Sequence, residues 1–343
     1  MRDIDETPLS HDETAQVFQA DVRMLSRRRL QSIAQRYPVV ETLRRIGTDF
    51  LTAQQSEHTL HQHAPIPLTI SKHYADAARR VPADPPRISI VTPSFNQGRF
   101  LERTIRSVLA QQYPNLEYII QDGGSTDHTM QIVDAYRPRL KHVASGEDSG
   151  QAHALNLGFR HATGDIMAWL NSDDMLLPGT VAYVVNFFLQ HPEIDAVYGH
   201  RIHVDADDQE VGCRIMPGHN DEILRWVDYI PQETLFWRRR LWEMAGERLD
   251  ESYQFALDWE LLLRFQAAGA RFVRLPRFMG VFRVHDTSKT TSWHEVGQRE
   301  VRRLRTQLHG RPVSEAEVYQ RIRWYVQRLA WGKLLYRCGW IRH

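Results

Sequence analysis

Cysteine is almost absent from this chain: only Cys213 and Cys338 occur, too few and too far apart for a disulfide scaffold or a cysteine metal site. No apolar run approaches the roughly 20 residues that a membrane-spanning helix needs. The opening stretch MRDIDETPLSHDET is acidic and polar, without the basic start and apolar core of a secretory signal. Together these absences predict a cytoplasmic protein. An excess of charge of one sign is also missing: 43 Lys and Arg stand against 42 Asp and Glu, so no global field points to nucleic acid. What remains is an ordinary globular composition, 42% hydrophobic and 25% charged, enough for one large α/β domain with additions or for two domains.

Three segments follow from the order of residues, and no internal repeat is found. Residues 1–86 are polar and helix-prone, with an arginine-rich patch at RMLSRRRLQSIAQRYPVVETLRRIG, and end in the proline linker VPADPPR. His58, His61 and His63 lack a companion Cys or acidic set and read as a solvated stretch. From residue 87, the β-rich runs ISIVT (88–92), LEYIIQ (116–121) and IMAWL (166–170) alternate with the helical stretches NQGRFLERTIRSVLAQQ, STDHTMQIVDAYRP and GQAHALNLGFRHATG. Such alternation predicts an α/β fold, a Rossmann-like, mostly parallel central sheet flanked by helices after the linker, with helical extensions before it and in the tail. Ligands of such sheets bind beyond the carboxyl ends of the strands, where TPSFNQG, QDGGSTD and LNSDD all fall.

The loops suit a nucleoside diphosphate. TPSFNQG offers Pro93, Ser94 and backbone N–H groups at a helix entrance. In QDGGSTD, Asp122 is placed to accept from a base N–H or a ribose hydroxyl, or only to serve its turn, whereas Asp127 reads as structural at a helix start. Neither G-x-G-x-x-G nor G-K-[ST] occurs in these loops, so a diphosphate here needs a metal. The adjacent Asp173 and Asp174 in AWLNSDDMLLPG repel one another unless something positive compensates them. Mg²⁺ or Mn²⁺ bridging carboxylates to phosphates is one answer, and a solvated loop before the helix LLPGTVAYVVNFFLQ is the other.

The ordered set ISIVTPSFNQGRFLERTIRSVLAQQYPNLEYIIQDGGSTDHT and SGEDSGQAHALNLGFRHATGDIMAWLNSDDMLLPG resembles the family 2 glycosyltransferases, which have the GT-A fold, over residues 87–290. The resemblance implies an inverting hexosyltransferase using a UDP-, GDP- or dTDP-linked donor and a glycan or lipid-linked acceptor. It implies base contact for Asp122, a place in the nucleotide pocket for Asp148, metal ligation for Asp174, and a position nearer the ribose or metal shell for Asp173. One departure is visible, since many members carry two acids where this chain has Asp122-Gly123. In YQFALDWELLLRF the resemblance makes Asp258 the base that deprotonates the acceptor, while Glu260 points elsewhere on the same helix and Trp259 serves core or sugar. In FMGVFRVHDTSKT it lets His285 complete the metal site and brings Arg283 and Lys289 to the diphosphate.

QETLFW (232–237) lacks the arginine of the family's processive QxxRW signature, which implies transfer of a single sugar. The tail at 319–343 interleaves Arg and Lys with aromatics and predicts either peripheral contact with an anionic membrane or a helix packed on the core. Two other functions fit an acidic α/β site, a nucleotidyltransferase and a noncatalytic nucleotide-sugar-binding scaffold.

Overall fold

The computed structural model describes residues 60–71, 74, 81–289, 293–337 and 340–341. Strands β1 (Ile66–Pro67) to β5 are completed by β2 (Ile88–Ser94), β3 (Leu116–Asp122), β4 (His142–Ser145) and β5 (Ile166–Trp169). Helices α1 (Gly98–Leu109), α2 (Thr129–Tyr136) and α3 (Gln151–Phe159) connect them. The order β4-β3-β2-β5 is parallel throughout, as the alternating pattern predicts. β2 is buried at every position and β3 at every position but its first, which is why both read as unbroken apolar runs rather than as alternating ones. On α1, Leu101, Ile105, Val108 and Leu109 recur at helical spacing and enter the main core with Ile88, Ile90 and Ile120.

The second half of the sheet is mixed. After β6 (Met175–Leu176) and α4 (Thr180–Gln190) come the hairpin β7 (Ala196–Val204) and β8 (Gln209–Arg214), then α5 (Asp221–Leu224) and β9 (Phe236–Arg238). The last elements are α6 (Arg239–Met244), α7 (Leu257–Ala267), β10 (Phe272–Arg283), α8 (His294–His309) and α9 (Glu315–Arg337). β9 lies antiparallel between β5 and β7, and β10 runs parallel to β7 while its far end pairs antiparallel with β6. That last pairing lays the residues following Asp174 against the residues preceding Arg283. Among the described residues no helix is long and apolar enough to cross a membrane.

Several boundaries differ from the sequence reading. β2 continues through Pro93 to Ser94, and the registers Ser94↔Asp122 and Asp122↔Ser145 set three polar residues in one row at the carboxyl edge. α2 starts at Thr129 rather than Ser125 because Asp127 stands before it, with Oδ1 accepting from Thr129 N and Oδ2 from Gly98 N, both at 2.9 Å. Asp127 thus caps one helix and ties down the entrance of another. The described part of residues 1–86 packs on the sheet: Ile66–Pro67 is an edge strand on β8, and of the helical Leu60 and Tyr74 the first is buried and the second donates Oη–H to Phe278 O. His63 lies 3.5 Å from Glu210, and His58 and the arginine-rich patch lie outside the described residues. The boundary at 290 also does not divide the fold, because α8 and α9 bury Val301, Leu304, Val318, Ile322 and Tyr325.

At the opposite, amino edge of the parallel strands, Glu117 is buried and bonds Ser89 Oγ (2.7 Å), Thr163 N (2.8 Å) and Thr163 Oγ1 (2.7 Å). Burial pushes its carboxyl up, but these hydrogen bonds and Lys141 outweigh burial and hold it below the ordinary value. A depressed acid pKa stabilises the fold above the unfolded value, and that contribution is lost as pH falls through the folded value. Glu117→Gln is expected to cost about 1–3 kcal/mol at neutral pH. In urea denaturation the difference from wild type should fade as pH drops below the ordinary glutamate value of 4.5; a difference independent of pH would contradict the charged role.

Candidate active site

The carboxyl edge opens into a cavity of about 660 Å³. Its walls come from the ends of β2 and β5, the entrance of α3, the segment before β9, the start of α7, and α8. Pro93 and Ser94 line it, and Ser94 Oγ is buried without a hydrogen-bond partner.

Asp122 requires a correction to the base or ribose contact expected of it. Its carboxylate is wholly buried, with Oδ2 accepting from Gly124 N (3.1 Å), Ser125 N (2.9 Å) and Ser145 Oγ (2.6 Å), and Oδ1 from Ser125 Oγ (2.5 Å). These bonds hold the turn, in which Gly124 has φ of 84°, and Gly123 rather than Asp122 faces the cavity. Asp148 occupies the room this leaves. A Cβ at position 123 would lie 2.7 Å from Asp148 Oδ2, so the glycine at the family's second acidic position is what admits a carboxylate from another loop. Asp148 Oδ1 in turn accepts from Gly150 N at 2.8 Å and its residue lines the cavity.

Asp173 and Asp174 both reach the cavity, in different states. Asp174 is 2% exposed; Oδ1 accepts from Arg283 N (3.1 Å) and Oδ2 from Asn171 Nδ2 (3.3 Å). Burial, then the charges of Asp173 and Glu233, push its carboxyl well above the usual range. Asp173 is the more open of the two, and its Oδ2 lies 3.0 Å from His285 Nε2, while His285 Nδ1 lies 2.9 Å from Thr287 Oγ1. His285 thus sits on Asp173, the neighbour of Asp174, with which it was expected to share a metal. Among the described residues no three His, Cys, Asp or Glu side chains are grouped closely enough to hold a metal by themselves. Two hard carboxylates that repel each other, beside a cavity, do fit a Mg²⁺ or Mn²⁺ ion that draws further oxygen ligands from substrate phosphates.

The two expected diphosphate cations separate. Arg283 is 1% exposed and is spent on the scaffold: Nε donates to Asp173 O (2.9 Å), Nη1 to Asp205 O (3.0 Å), and it pairs with Asp208. Lys289 lines the cavity, its Nζ donating to Gln151 Oε1 (2.8 Å) and Gln254 O (3.0 Å).

Asp258 lies in the first turn of α7 and faces the cavity. Burial pushes its carboxyl up to about 6, against the lowering effect of the bond from Trp259 N and of Lys289, with Glu233 adding to the rise. Glu260 points away, as the helical spacing requires, and is held by Arg264 at 2.7 and 2.8 Å. Trp259 is fully buried and donates Nε1–H to Leu224 O at 2.8 Å, so it is a core residue at the cavity wall.

The sequence reading missed Asp228 and Glu233. Both line the cavity, and Asp228 Oδ1 and Glu233 Oε1 are buried without hydrogen-bond partners. Burial and the neighbouring Asp258 push the Asp228 carboxyl up. It also missed a relay of amides in which Gln151 Nε2 donates to Asn171 Oδ1 (2.7 Å), Asn171 Nδ2 to Gln232 Oε1 (3.1 Å), and Gln232 Nε2 to Trp169 O (2.9 Å). No periodicity signals either set; the only trace of them is the polar Gln232-Glu233-Thr234 inside an apolar stretch. Among the described residues the cavity carries six carboxylates and four Lys or Arg side chains.

Comparison with known proteins gives this site a context. The family model described as glycosyl transferase family 2 matches residues 89–262. An uncharacterized glycosyltransferase of Nostoc sp. is 32% identical over 129 residues, which is 36% of this chain and 39% of that protein. The O-antigen biosynthesis protein RfbC of Myxococcus xanthus is 29% identical over 188 residues, 53% of this chain and 15% of that protein. The chain thus spans well under two thirds of the length of either relative. TarS of S. aureus, solved with UDP-GlcNAc, superposes with a TM-score of 0.53 at 18% identity over 69% of this chain and 70% of that one. The mannosyltransferase PcManGT of Pyrobaculum calidifontis, solved with GDP-Man and Mn²⁺, gives 0.51 at 21% identity over 77% of this chain and 78% of that one. The structural likenesses show the GT-A fold, and with the family model covering half of its length the chain belongs to glycosyl transferase family 2.

Proposed function

We propose that this chain is the catalytic unit of an inverting, metal-dependent glycosyltransferase. It transfers a single sugar from a UDP-, GDP- or dTDP-linked donor to a glycan or lipid-linked acceptor in surface-polysaccharide or glycoconjugate assembly. The observation that carries this reading is the convergence of the adjacent Asp173-Asp174 pair and the base candidate Asp258 on one cavity. A donor diphosphate is anionic, and a divalent cation between it and the two adjacent carboxylates would compensate both. Asp173 and Asp174 are the residues that would hold Mn²⁺ or Mg²⁺, with His285 fixing Asp173; when bound, the ion supplies charge neutralisation for the departing nucleoside diphosphate. Ser94 and Asp148 bind the nucleotide, Asp122 serving it through the turn it holds. Asp258 takes the proton of the acceptor hydroxyl as that oxygen attacks the anomeric carbon. The nucleotide sugars bound to TarS and PcManGT support the donor class, and the Mn²⁺ of the latter supports the metal.

Purified protein should transfer from one member of a UDP-, GDP- and dTDP-sugar panel with Mn²⁺ or Mg²⁺, giving a product of inverted anomeric configuration. NTP turnover with pyrophosphate release would instead mark a nucleotidyltransferase, and binding without turnover a scaffold. Asp258→Asn should lower kcat by roughly 10²–10⁴ with donor affinity retained. A base with its pKa raised to about 6 is protonated below that value, so kcat/KM should rise with pH through about 6, and this limb should vanish in Asp258→Asn. Wild-type transfer by Asp258→Asn would overturn the assignment.

For α9 both readings of the tail have a physical basis. Val318, Ile322, Tyr325, Val326 and Leu329 form a buried stripe, with Tyr325 4.7 Å from the ring of Tyr229. The outward face carries Arg323, Trp324, Arg328 and Trp331, and beyond the helix Trp340 is 49% exposed. We infer that this face rests on an anionic membrane, with the enzyme peripheral at its cytoplasmic side. Deleting 319–343 would strip the core, so charge reversal is the better test. Arg323→Glu/Arg328→Glu should keep the melting temperature but lose co-sedimentation with anionic vesicles, binding that high salt should also abolish in wild type. Unchanged vesicle binding would rule this face out.

A further inference from the structure

Outside the region matched by the family model, α8 sends one carboxylate to the backbone that borders the cavity. Glu300 is 8% exposed, and its Oε1 accepts from Gln254 N (2.8 Å) while Oε2 accepts from Phe255 N (2.8 Å) and Ala256 N (2.9 Å). These three residues lead directly into α7, whose N-cap position is Ala256, a residue with no side chain able to cap. A buried acid borrowed from another helix takes over that task, and its charge also suits the amino end of α7. Asp258 follows two residues later.

The same short segment is pinned from its other sides. Lys289 Nζ donates to Gln254 O at 3.0 Å and to Gln151 Oε1 at 2.8 Å, joining it to the entrance of α3. Gly297, one turn before Glu300, lies so close to Phe255 that a Cβ there would be 2.9 Å from the ring. A Cβ on Gly150 would likewise be 2.8 Å from Gln254 Oε1, so residues 254–256 touch the loop that carries Asp148. Three charge-assisted bonds to consecutive N–H groups fix both the path of this backbone and the direction in which α7 starts.

We propose that Glu300 is a positioning residue for transfer, which sets the place of Asp258 relative to the acceptor hydroxyl and makes α8 part of the catalytic unit. This rests on Asp258 being the base. General-base catalysis needs the carboxylate within about 2.6–3.2 Å of the hydroxyl oxygen whose proton it removes, and misplacement by about 1 Å can cost on the order of 10²-fold. A glutamine at 300 keeps the size of the side chain but has one acceptor oxygen where the three N–H groups need two.

The test is a cycle of Glu300→Gln, Asp258→Asn and the double variant, in the full chain, with the donor that wild type uses. Glu300→Gln is expected to lower kcat by roughly 10–100-fold, with donor KM and the affinity for the matching nucleoside diphosphate plus Mn²⁺ within about twofold of wild type. If Glu300 acts through Asp258, the double variant is no slower than Asp258→Asn alone. A wild-type kcat in Glu300→Gln overturns the proposal, as does a double variant slowed by the full product of the two single effects. If Asp258→Asn transfers at the wild-type rate, the base assignment fails, a result separate from failure of Glu300→Gln against an inactive Asp258→Asn. Should Glu300→Gln not fold, Glu300→Asp, which keeps the charge but falls short of the three N–H groups, enters the same cycle with the same criteria.

Discussion

Asp174 is buried beside Asp173 and Glu233, and the site is organised around keeping these carboxylates together. Such groups repel each other and lose hydration in the interior, so each must be met by donors or by a cation. The fold supplies donors from distant elements. Arg283 offers its backbone N–H to Asp174 and its guanidinium to the Asp173 carbonyl, Asn171 reaches Asp174 Oδ2, and Thr104 Oγ1 lies 2.7 Å from Asp174 O. The antiparallel pairing of β6 with β10 brings Arg283 to this place, and the core face of α1 brings Thr104. The donors to the Asp174 carboxylate offset part of the repulsion, and the two adjacent carboxylates beside the cavity fit a divalent cation.

The parallel half of the fold was legible because its causes are local. β2 and β3 are covered on both faces, so their sequences had to be continuous apolar runs, and α1 had to carry its apolar residues at helical spacing. The acidic pair stood out as charges that repel unless compensated, whereas Asp258 was named through the family resemblance, since an acid in a helix's first turn also suits the helix dipole. Asp122 shows where such reasoning stops: an acid before a glycine turn serves the turn as well as it serves a ligand, and only Ser125 and Ser145 around it decide between the two. Asp148 above Gly123 depends on a contact between two loops, one of which says nothing of the other in sequence. Asp228, Glu233 and Glu300 were illegible for the same reason, since each enters the site through packing across many residues rather than through a motif.

The bound at residue 290 that the resemblance implies therefore falls inside one packed unit. The cavity wall includes Val301 and Arg305, and the backbone ahead of Asp258 is held by Glu300. α9 then lays its apolar stripe on the body of the protein and turns its tryptophans and arginines outward, so a single helix serves both core packing and a charged, aromatic surface.

The central claim is that the acidic cavity accepts a nucleoside diphosphate together with a divalent cation. Calorimetric titration of Mn²⁺ into the protein, with and without saturating UDP, GDP or dTDP, tests it without requiring the acceptor. The account predicts that the cation binds weakly alone, that cation and nucleotide tighten each other by the same factor, and that Asp174→Asn abolishes this coupling while the fold is retained. Nucleotide affinity in EDTA equal to that in Mn²⁺ would contradict it.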